Sequence, residues 1–469
     1  MKKTLYAAAG KAALAAALIM MMSSCSIYRK YHRPEDLPTD SLYRAELVPE
    51  AQATDEPDTN SLGYMSWEEV FTDPCLQDLI RTGLENNVDF RSAILRVEQA
   101  KAQLSAAKWG YAPSIMLAPQ GGLNSINAGK ASWTYNVGAS ASWDIDLFGS
   151  LLNAKRGAQA ALLQQQAYQQ AVRSQLIATI ANTYFSLLML DDQVTISEEN
   201  VRIFEEQVRT MEAMLKTGKT TENAVTQARA NLYGLEASYA ALLQQQQEAE
   251  NALCSLLGQP SMPIVRGKLS EQTVPSEISV GIPLQLLSNR PDVYQAEMAL
   301  ASSYYSTNQA RSAFYPKISL SGSAGWTNSL GQAISNPAGW LLSALGQLTM
   351  PIFNHGQLVA NLKVSKAEEE IALMNYRQTL LNAGEQVNNA LYAVQISEEM
   401  YNKHLSQVKD LERTVQTSEL LYERSTGTYL ELLSARQSLL SARLNAVNDQ
   451  FTMLQSVVSL YQALGGGKE

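Results

Sequence analysis

The chain has 469 residues, enough for two or three domains, and only 17% of them are charged. Its formal net charge of −9 argues against a nucleic-acid partner, because nucleic-acid-binding proteins usually carry a basic face. Three cysteines and three histidines, scattered along the sequence, are too few for a disulfide framework, a zinc site or a histidine-based catalytic centre, so we expect no enzyme, no metal and no cofactor.

The first predicted element is a signal peptide over residues 1–24. A basic start is followed by an apolar run at 12–22 that is too short to cross a bilayer. Two serines and Cys25 follow and resemble a lipobox, with Met22 in the position where leucine is commonest. The sequence therefore predicts cleavage before Cys25 and a covalent lipid on its thiol, an ordinary secretory signal being the alternative. Ser26, and not an acidic residue, directly follows Cys25, which favours delivery to the outer membrane.

Residues 25–65 are mostly polar and contain four prolines. This composition predicts an extended lipidated tether, with ordered structure beginning near Trp67. No stretch of 18 apolar residues occurs beyond the signal peptide. A transmembrane helix is therefore not predicted, and any membrane crossing must use strands.

From Trp67 onward the chain repeats itself once. Asp89 and Asp292 are 203 positions apart, as are Pro113 and Pro316, and further matches follow at spacings up to 207. Matches at a nearly constant spacing predict an internal duplication. The predicted segments are a first repeat, a linker, a second repeat and a short tail: 66–258, 259–289, 290–465 and 466–469.

Each repeat contains two segments with the alternation typical of β-strands: about 114–125 and 131–143, then about 317–328 and 340–350. In residues 132–143, aromatic and small apolar side chains alternate with Ser, Thr, Asn and Gly, so the strand has one apolar and one polar face. Such segments are typical of transmembrane barrels, a soluble β-sandwich being the alternative. The predicted membrane-interface aromatics, of which one or two could instead be core residues, are Trp133, Trp143, Trp326 and Trp340.

Two long helices follow the strands in each repeat: about 150–215 and 220–257, then about 357–424 and 428–464. Residues 158–217 contain neither glycine nor proline, and one continuous helix of that length would reach ~90 Å. Apolar residues recur every three or four positions along these segments, which is typical of coiled coils. Gly218 and Gly427 are predicted to form the turns within the two helix pairs.

Four strands are too few to close a barrel in a membrane, where open sheet edges leave backbone groups unpaired. Three chains would supply twelve strands, an even number within the range of bacterial barrels. The small polar face of each strand would then line a water-filled lumen, which the long helices would continue. The sequence therefore favours an oligomeric duct.

Four motifs resemble those of one family of bacterial channel proteins. They are Trp67-x3-Phe71-x-Asp73-Pro74, Trp143-Asp144-x-Asp146-Leu147-Phe148-Gly149, Arg290-Pro291-Asp292-Val293 and Leu460-Tyr461-Gln462-Ala463-Leu464-Gly465. The resemblance covers the chain from about Trp67 to Gly467. The chain is similar to the outer-membrane efflux proteins, the TolC-type outer membrane factors, and most closely to the lipoprotein branch that serves RND-type tripartite efflux pumps.

The resemblance implies an α+β membrane protein in the outer membrane of a Gram-negative bacterium. It implies a homotrimer with a twelve-stranded transmembrane β-barrel, four strands per chain, continuous with a long periplasmic α-helical barrel and surrounded by a mixed equatorial belt. It also implies a periplasmic adaptor as partner and, through the adaptor, an inner-membrane pump. Outer-membrane lipid would be a further partner.

The implied function is an exit duct for small molecules from the periplasm to the exterior. The outlet of a type I protein secretion system is an alternative, as is a periplasmic adaptor or coiled-coil scaffold, although the duplication disfavours the latter two. No nucleophile–base motif or phosphate-binding loop supports an enzyme. Cys75 and Cys254 are expected to be unpaired core thiols, a disulfide being the alternative.

Three carboxylates are candidates for site roles: Glu431, Asp144 and Asp146. The family closes its periplasmic end with two carboxylates three residues apart, and Glu431 matches the first position while Ser434 replaces the second. The resemblance thus implies a candidate gate at Glu431, a solvated helix charge being the alternative. Asp144 and Asp146 are expected either to line the lumen or to cap the following helix.

Overall fold

The computed structural model describes residues 26–37, 42, 62–124, 131–273, 290–327, 340–424 and 428–467. The predicted signal peptide, Cys25, most of the tether, the end of the linker and Gly427 lie outside the described residues. The described residues belong to two compact units. Unit 1 draws on 1–37, 96–166 and 295–377, and unit 2 on 38–95, 167–294 and 378–469.

The α-helices recur with equal lengths along the chain. They are α1 (Trp67–Val70), α2 (Pro74–Asn86), α3 (Val88–Trp109), α4 (Ser150–Lys216), α5 (Glu222–Leu256), α6 (Pro291–Ser312), α7 (Gln357–Glu423) and α8 (Tyr429–Ala463). Helices α3 and α6 have 22 residues each, α4 and α7 have 67 each, and α5 and α8 have 35 each. Within the described ranges, no helix combines the length and the apolar character that a membrane span requires.

Threonine and glycine delimit the long helices. Thr221 and Thr428 are the N-caps of α5 and α8, and each hydroxyl accepts a hydrogen bond from a backbone N–H of the first turn. Gly218 follows α4 with φ +72°, a backbone conformation that residues with a side chain rarely adopt. Because residues 158–217 lack glycine and proline, nothing in the sequence interrupts α4 before this turn.

The strands of unit 1 form one antiparallel sheet. They are β1 (Ser114–Leu117), β2 (Gln120–Asn124), β3 (Ser132–Ile145), β4 (Lys317–Thr327) and β5 (Trp340–Thr349). The order is β1-β3-β4-β5, and β2 pairs with β3 beyond the end of β1. Strand β3 is longer than the predicted segment 131–143 because the alternation continues through Asp144 and Ile145.

The segment predicted as one strand at about 114–125 is interrupted at Ala118 and Pro119. Proline has no N–H to donate to the neighbouring strand, so the hydrogen-bond ladder is broken there. The alignment with β3 does not change, since the Ala118 N–H donates to the Gly138 carbonyl at 3.3 Å between two stretches of one register. Strands β1 and β2 together therefore occupy one strand position, and the sheet is four positions wide.

Ordered structure begins earlier than the sequence predicted. Ser26–Tyr28 form a 3-10 turn, and the side chain of Ile27 is 2% exposed. Leu62–Tyr64 form another, with Leu62 also 2% exposed. The Leu42 carbonyl accepts a hydrogen bond from Nδ2 of Asn388 at 2.9 Å. The expectation of an extended tether up to Trp67 is therefore wrong for these parts, which are held by residues far along the chain.

The main core of unit 2 forms where the long helices pack on α1 and α2. Tyr184, Ile180 and Leu76 are completely buried there. The rings of Phe71 and Tyr461 meet edge to face, with centroids 5.9 Å apart. Two motifs that are more than 380 positions apart in sequence thus share one core. A smaller cluster contains Phe204, Val208, Ala228, Leu232 and Leu433.

Candidate functional site

One face of the sheet carries small polar side chains on every strand. They include Ser114, Gln120, Thr134, Asn136, Ser140, Ser142, Ser319, Ser321, Ser323, Ser343 and Gln347. Hydroxyls meet across strands: the Oγ atoms of Ser114 and Ser142 are 2.7 Å apart, and those of Ser323 and Ser343 are 2.8 Å apart. The alternation predicted from a single strand therefore extends across the sheet as one polar surface.

The opposite face of the sheet is apolar and exposed within one chain. Its exposed large side chains include Ile115, Leu117, Leu123, Trp133, Val137, Trp143, Leu320, Leu342 and Leu348. Leu342 is 81% exposed and Ile115 is 75% exposed. Among the residues whose side chains the structure describes, Met116 and Leu345 are apolar but occupy positions of the polar face. An apolar surface of this extent is typical of contact with lipid or with another chain.

Three of the four predicted interface tryptophans, Trp133, Trp143 and Trp326, lie on the apolar face. Trp133 and Trp143 stand near the two ends of β3 and are both exposed, so neither is a core residue. The Trp143 Nε1–H donates to the Tyr111 carbonyl at 2.9 Å. Trp326 is partly exposed and is aligned with Trp340 on β5, whose side chain lies outside the described part of the chain.

The two candidate carboxylates at the end of β3 have different surroundings. Oδ2 of Asp146 accepts a hydrogen bond from the Leu152 N–H at 2.8 Å, which satisfies a donor in the first turn of α4. Oδ1 of Asp144 accepts one from the Ser319 hydroxyl at 2.7 Å, across the β3–β4 pair. Asp146 thus caps a helix, whereas Asp144 lies on the polar face of the sheet.

Glu431 forms a capping box with Thr428 at the start of α8. Its backbone N–H donates to Oγ1 of Thr428 at 3.3 Å, and its Oε2 accepts from the Thr428 N–H at 3.0 Å. Both Glu431 and Ser434 are exposed. The carboxylate that resembles the family's gate position therefore also has a local structural task, which the Thr-x-x-Glu pattern could have indicated.

A cavity of about 620 Å³ lies among α4, α7 and α8 within unit 2, and Glu431 is not among its lining residues. Arg436 forms an ion pair with Glu419, and Arg443 forms one with Glu412 at 2.7 Å. These ion pairs connect α8 to α7. The part of α8 that follows Glu431 is thus fastened to its helix partner within one chain.

Arg290 makes the most extensive polar contacts of the second-repeat motif, and sequence reasoning gave it no role. Its guanidinium forms two hydrogen bonds with Asp292, at 3.0 and 2.7 Å, one with Oε1 of Gln386 at 2.6 Å and one with the Ala463 carbonyl at 2.8 Å. Its side chain is only 7% exposed. We call these four residues the Arg290 clasp. The clasp joins the start of the second repeat to the end of α8.

Two further arginines hold segments that were predicted as tether and linker. In unit 1, Nε and Nη2 of Arg33 donate to the two carboxylate oxygens of Glu297, at 2.9 and 2.6 Å. In unit 2, Nε and Nη2 of Arg266 donate to Asp191 at 2.6 and 2.9 Å. These bidentate pairs raise the pKa of both guanidinium groups. Each pair fixes a non-helical segment to a helix.

The buried Tyr184 forms a further polar contact in unit 2. The Tyr184 hydroxyl donates to Oδ2 of Asp73 at 2.6 Å and accepts from the Gly267 N–H at 3.0 Å. Burial raises the pKa of Tyr184.

Cys75 and Cys254 are free thiols, the first partly buried and the second buried. Among the described residues, no cluster of His, Cys, Asp and Glu is suited to hold a metal ion.

Comparisons with known proteins agree on one family. The outer membrane efflux protein family matches residues 79–259 and 282–466. Cation efflux system protein CusC of Escherichia coli (strain K12) is 28% identical over 457 residues, covering 96% of this chain and 97% of that protein. Probable outer membrane lipoprotein SilC of Salmonella typhimurium is 27% identical over 463 residues, covering 97% and 98%. The open state of the Neisseria gonorrhoeae MtrE outer membrane channel superposes with a TM-score of 0.81 at 26% identity, covering 95% and 99%.

Proposed function

Because the chain belongs to the outer membrane efflux protein family, we propose that three copies of it form the exit channel of a tripartite efflux system. The protein is an outer-membrane efflux channel component and not an enzyme. Its proposed cargo is small molecules, which pass from the periplasm to the exterior. A periplasmic adaptor and, through it, an inner-membrane pump that supplies the energy are its proposed partners.

The two-faced sheet with open edges is the observation that carries this proposal. Among the described residues, β5 pairs only with β4, and β1 and β2 pair only with β3. Backbone groups at such edges need partners in a membrane, where water cannot satisfy them. Three chains, each four strand positions wide, close a twelve-stranded barrel. In that barrel the apolar face meets lipid and the polar face surrounds water.

The helices support the same assembly. The equal lengths of α3 and α6, of α4 and α7, and of α5 and α8 support an internal duplication, in which each chain contributes two similar pairs of long helices. Twelve such helices from three chains would surround a periplasmic continuation of the lumen. Their turns, near Gly218 and Thr428, are the proposed contact with the adaptor.

Two individual residues are included in the proposal. Acylated Cys25 anchors each chain in the outer membrane, a role supported by the lipobox-like residues that precede it. Three Glu431 carboxylates, one from each chain, form a negatively charged ring at the periplasmic entrance that favours cations over anions. Asp144 lies on the lumen side of the wall, whereas Asp146 serves the helix.

Two neighbouring residues of β4 test which face lines the channel. Ser321 lies on the polar face and Leu320 on the apolar face. We expect Ser321→Trp to lower the single-channel conductance of the purified chain in planar bilayers, because three indoles would narrow the lumen. Leu320→Trp, which places the same indole toward lipid, should leave the conductance unchanged. A native mass corresponding to a monomer, or equal conductances for the two variants, would refute the proposal.

A further inference from the structure

A basic cavity lies in unit 1 beside the first described residues of the chain. Its volume is about 650 Å³, and four cationic side chains line it: Arg29, Lys30, Arg311 and Lys366. In the part of the chain that the structure describes, none of these four has an ion-pair partner. Two carboxylates, Glu369 and Glu370, also line the cavity, so an excess of two positive charges remains.

The segment that contributes Arg29 and Lys30 is fixed at the end of the sheet. Nδ2 of Asn153 donates to the Ile27 carbonyl at 3.0 Å, and the Tyr28 hydroxyl donates to the carbonyl of Leu147, two residues after β3. Nη1 of Arg156 donates to the Tyr28 carbonyl at 3.0 Å. The basic segment is therefore positioned where the chain passes from the sheet into α4.

Two tyrosines, Tyr31 and Tyr304, line the cavity, and Tyr305 contacts both of them. Tyr31 and Tyr304 meet edge to face at 5.9 Å, and Tyr304 and Tyr305 meet at 5.5 Å. Tyr31 donates its backbone N–H to the Tyr305 hydroxyl at 3.1 Å. The Tyr31 hydroxyl is itself buried without a hydrogen-bond partner in the described residues. Tyrosines beside basic residues are typical of the head-group level of a membrane.

We propose that this cavity binds the head-group phosphate of an anionic phospholipid in the periplasmic leaflet of the outer membrane. The inference rests on the proposed function, because it requires the sheet to cross that membrane. Arg29 follows Cys25 by four residues, so at most about 14 Å of chain separates it from the predicted acylation site. The excess of two positive charges more than balances the single negative charge of a phosphodiester, whose oxygens suit arginine and lysine donors.

The experiment compares lipid binding by three forms of the full-length chain in detergent. The first is the natural protein, and the second carries Arg29→Gln, Lys30→Gln and Lys366→Gln. The third is a charge-matched control with Lys216→Gln, Lys219→Gln and Lys403→Gln, three exposed residues outside the cavity. Native mass spectrometry measures the binding of phosphatidylglycerol and phosphatidylcholine with identical acyl chains.

We expect the natural protein and the control to prefer phosphatidylglycerol. The cavity variant should bind this lipid more weakly, by about fivefold for each positive charge that is replaced by glutamine. Replacing Glu369 and Glu370 by glutamine should strengthen the binding, because it removes the opposing charges. Equal binding of both lipids by the natural protein would overturn the proposal, as would full retention of the preference in the cavity variant. Displacement by inorganic phosphate at millimolar concentration would assign the site to soluble phosphate instead.

Conductance measured on the same samples separates this inference from the channel function. The cavity variant should conduct like the natural protein, because its three substitutions lie outside the polar face of the sheet. Normal conductance without lipid preference would refute only the lipid site. Absence of conductance in the natural protein would refute the channel and, with it, the placement of this cavity at the membrane surface, whatever lipid preference is measured.

Discussion

The sheet of unit 1 and the main core of unit 2 differ in how much one chain completes. In unit 2, Tyr184, Ile180 and Leu76 are completely buried, and the Arg290 clasp satisfies its charges within the chain. In unit 1, Leu342 is 81% exposed on one face of the sheet while serines occupy the other. A single chain thus completes the core of unit 2, whereas in unit 1 it leaves an apolar face of the sheet exposed.

Among the substitutions considered, removal of Arg290 should destabilise the core of unit 2 most. We expect Arg290→Ala to lower the free energy of unfolding by about 3 kcal/mol, because Asp292 and the Ala463 carbonyl lose a buried cationic donor. Thermal unfolding of the purified chain, followed by circular dichroism, measures the loss. The control is Arg202→Ala, whose side chain is 72% exposed and whose loss should cost at most about 0.5 kcal/mol. Similar shifts for both variants would contradict the role of the clasp.

Opposite faces of the sheet should respond differently to one substitution. Leu342→Arg places a charge on the face proposed to contact lipid and should cost about 2 kcal/mol, lowering the amount of assembled protein in outer-membrane fractions. Ser343→Arg places the same charge on the polar face, where water can solvate it. Assembled protein should therefore remain close to the natural level for Ser343→Arg. If the two variants assemble to the same extent, the proposed contact of one face with lipid and of the other with water is wrong.

The buried tyrosine of unit 2 offers a smaller test of the same core. Tyr184→Phe keeps the ring but removes the donor to Asp73 and the acceptor for the Gly267 N–H, so we expect a loss of about 1.5 kcal/mol. The matched control is Tyr233→Phe, since Tyr233 is 64% exposed. Urea unfolding of both variants gives the comparison. A loss no greater than that of the control would show that the Tyr184 hydroxyl contributes nothing.

Asp144 and Asp146, at the end of β3, should differ in their effect on stability because only Asp146 caps a helix. Asp146→Ala should destabilise the chain by about 1 kcal/mol, because the Leu152 N–H loses its acceptor. Asp144→Ala removes only an exposed hydrogen bond to Ser319 and should have a smaller effect. Hydrogen exchange at the start of α4 measures the difference directly. Equal exchange rates in both variants would remove the distinction between Asp144 and Asp146.

Glu431→Gln should have the smallest effect on stability and still change conduction. Glutamine can accept the same hydrogen bond from the Thr428 N–H, so the capping box should persist. The charge is lost, and we expect weaker block by divalent cations in planar bilayers. Ser434→Ala, which changes no charge, is the control. Unchanged conductance and block would leave Glu431 with its capping role alone.

The sequence predicted the elements well wherever local pattern decides them. The run without glycine and proline over 158–217 predicts one long helix, and α4 ends at Lys216. The interruption at Pro119 was also readable from the sequence, since proline cannot donate to a ladder, but the alternation on either side concealed it. The capping box of Glu431 could likewise have been predicted, from the local Thr-x-x-Glu pattern that begins at Thr428.

The remaining features depend on partners that are distant in sequence. Ile27 is held by Asn153, 126 positions away, and Arg33 by Glu297, 264 positions away. A polar, proline-containing segment indicates a tether when its partners are unknown, although here parts of it pack as firmly as the helices. The Arg290 clasp was hidden for the same reason, because Gln386 and Ala463 lie 96 and 173 positions beyond it.

The equal helix lengths restrict how this protein can change during evolution. One residue inserted into α4 or α7 would rotate every later side chain by about 100° about the helix axis. Part of the buried stripe would then face water, and part of the exposed stripe would face the core. Insertions are therefore tolerated in the connecting loops, whereas a length change within a long helix must restore the helical phase. Helix length is thus an inherited constraint as strong as any single residue.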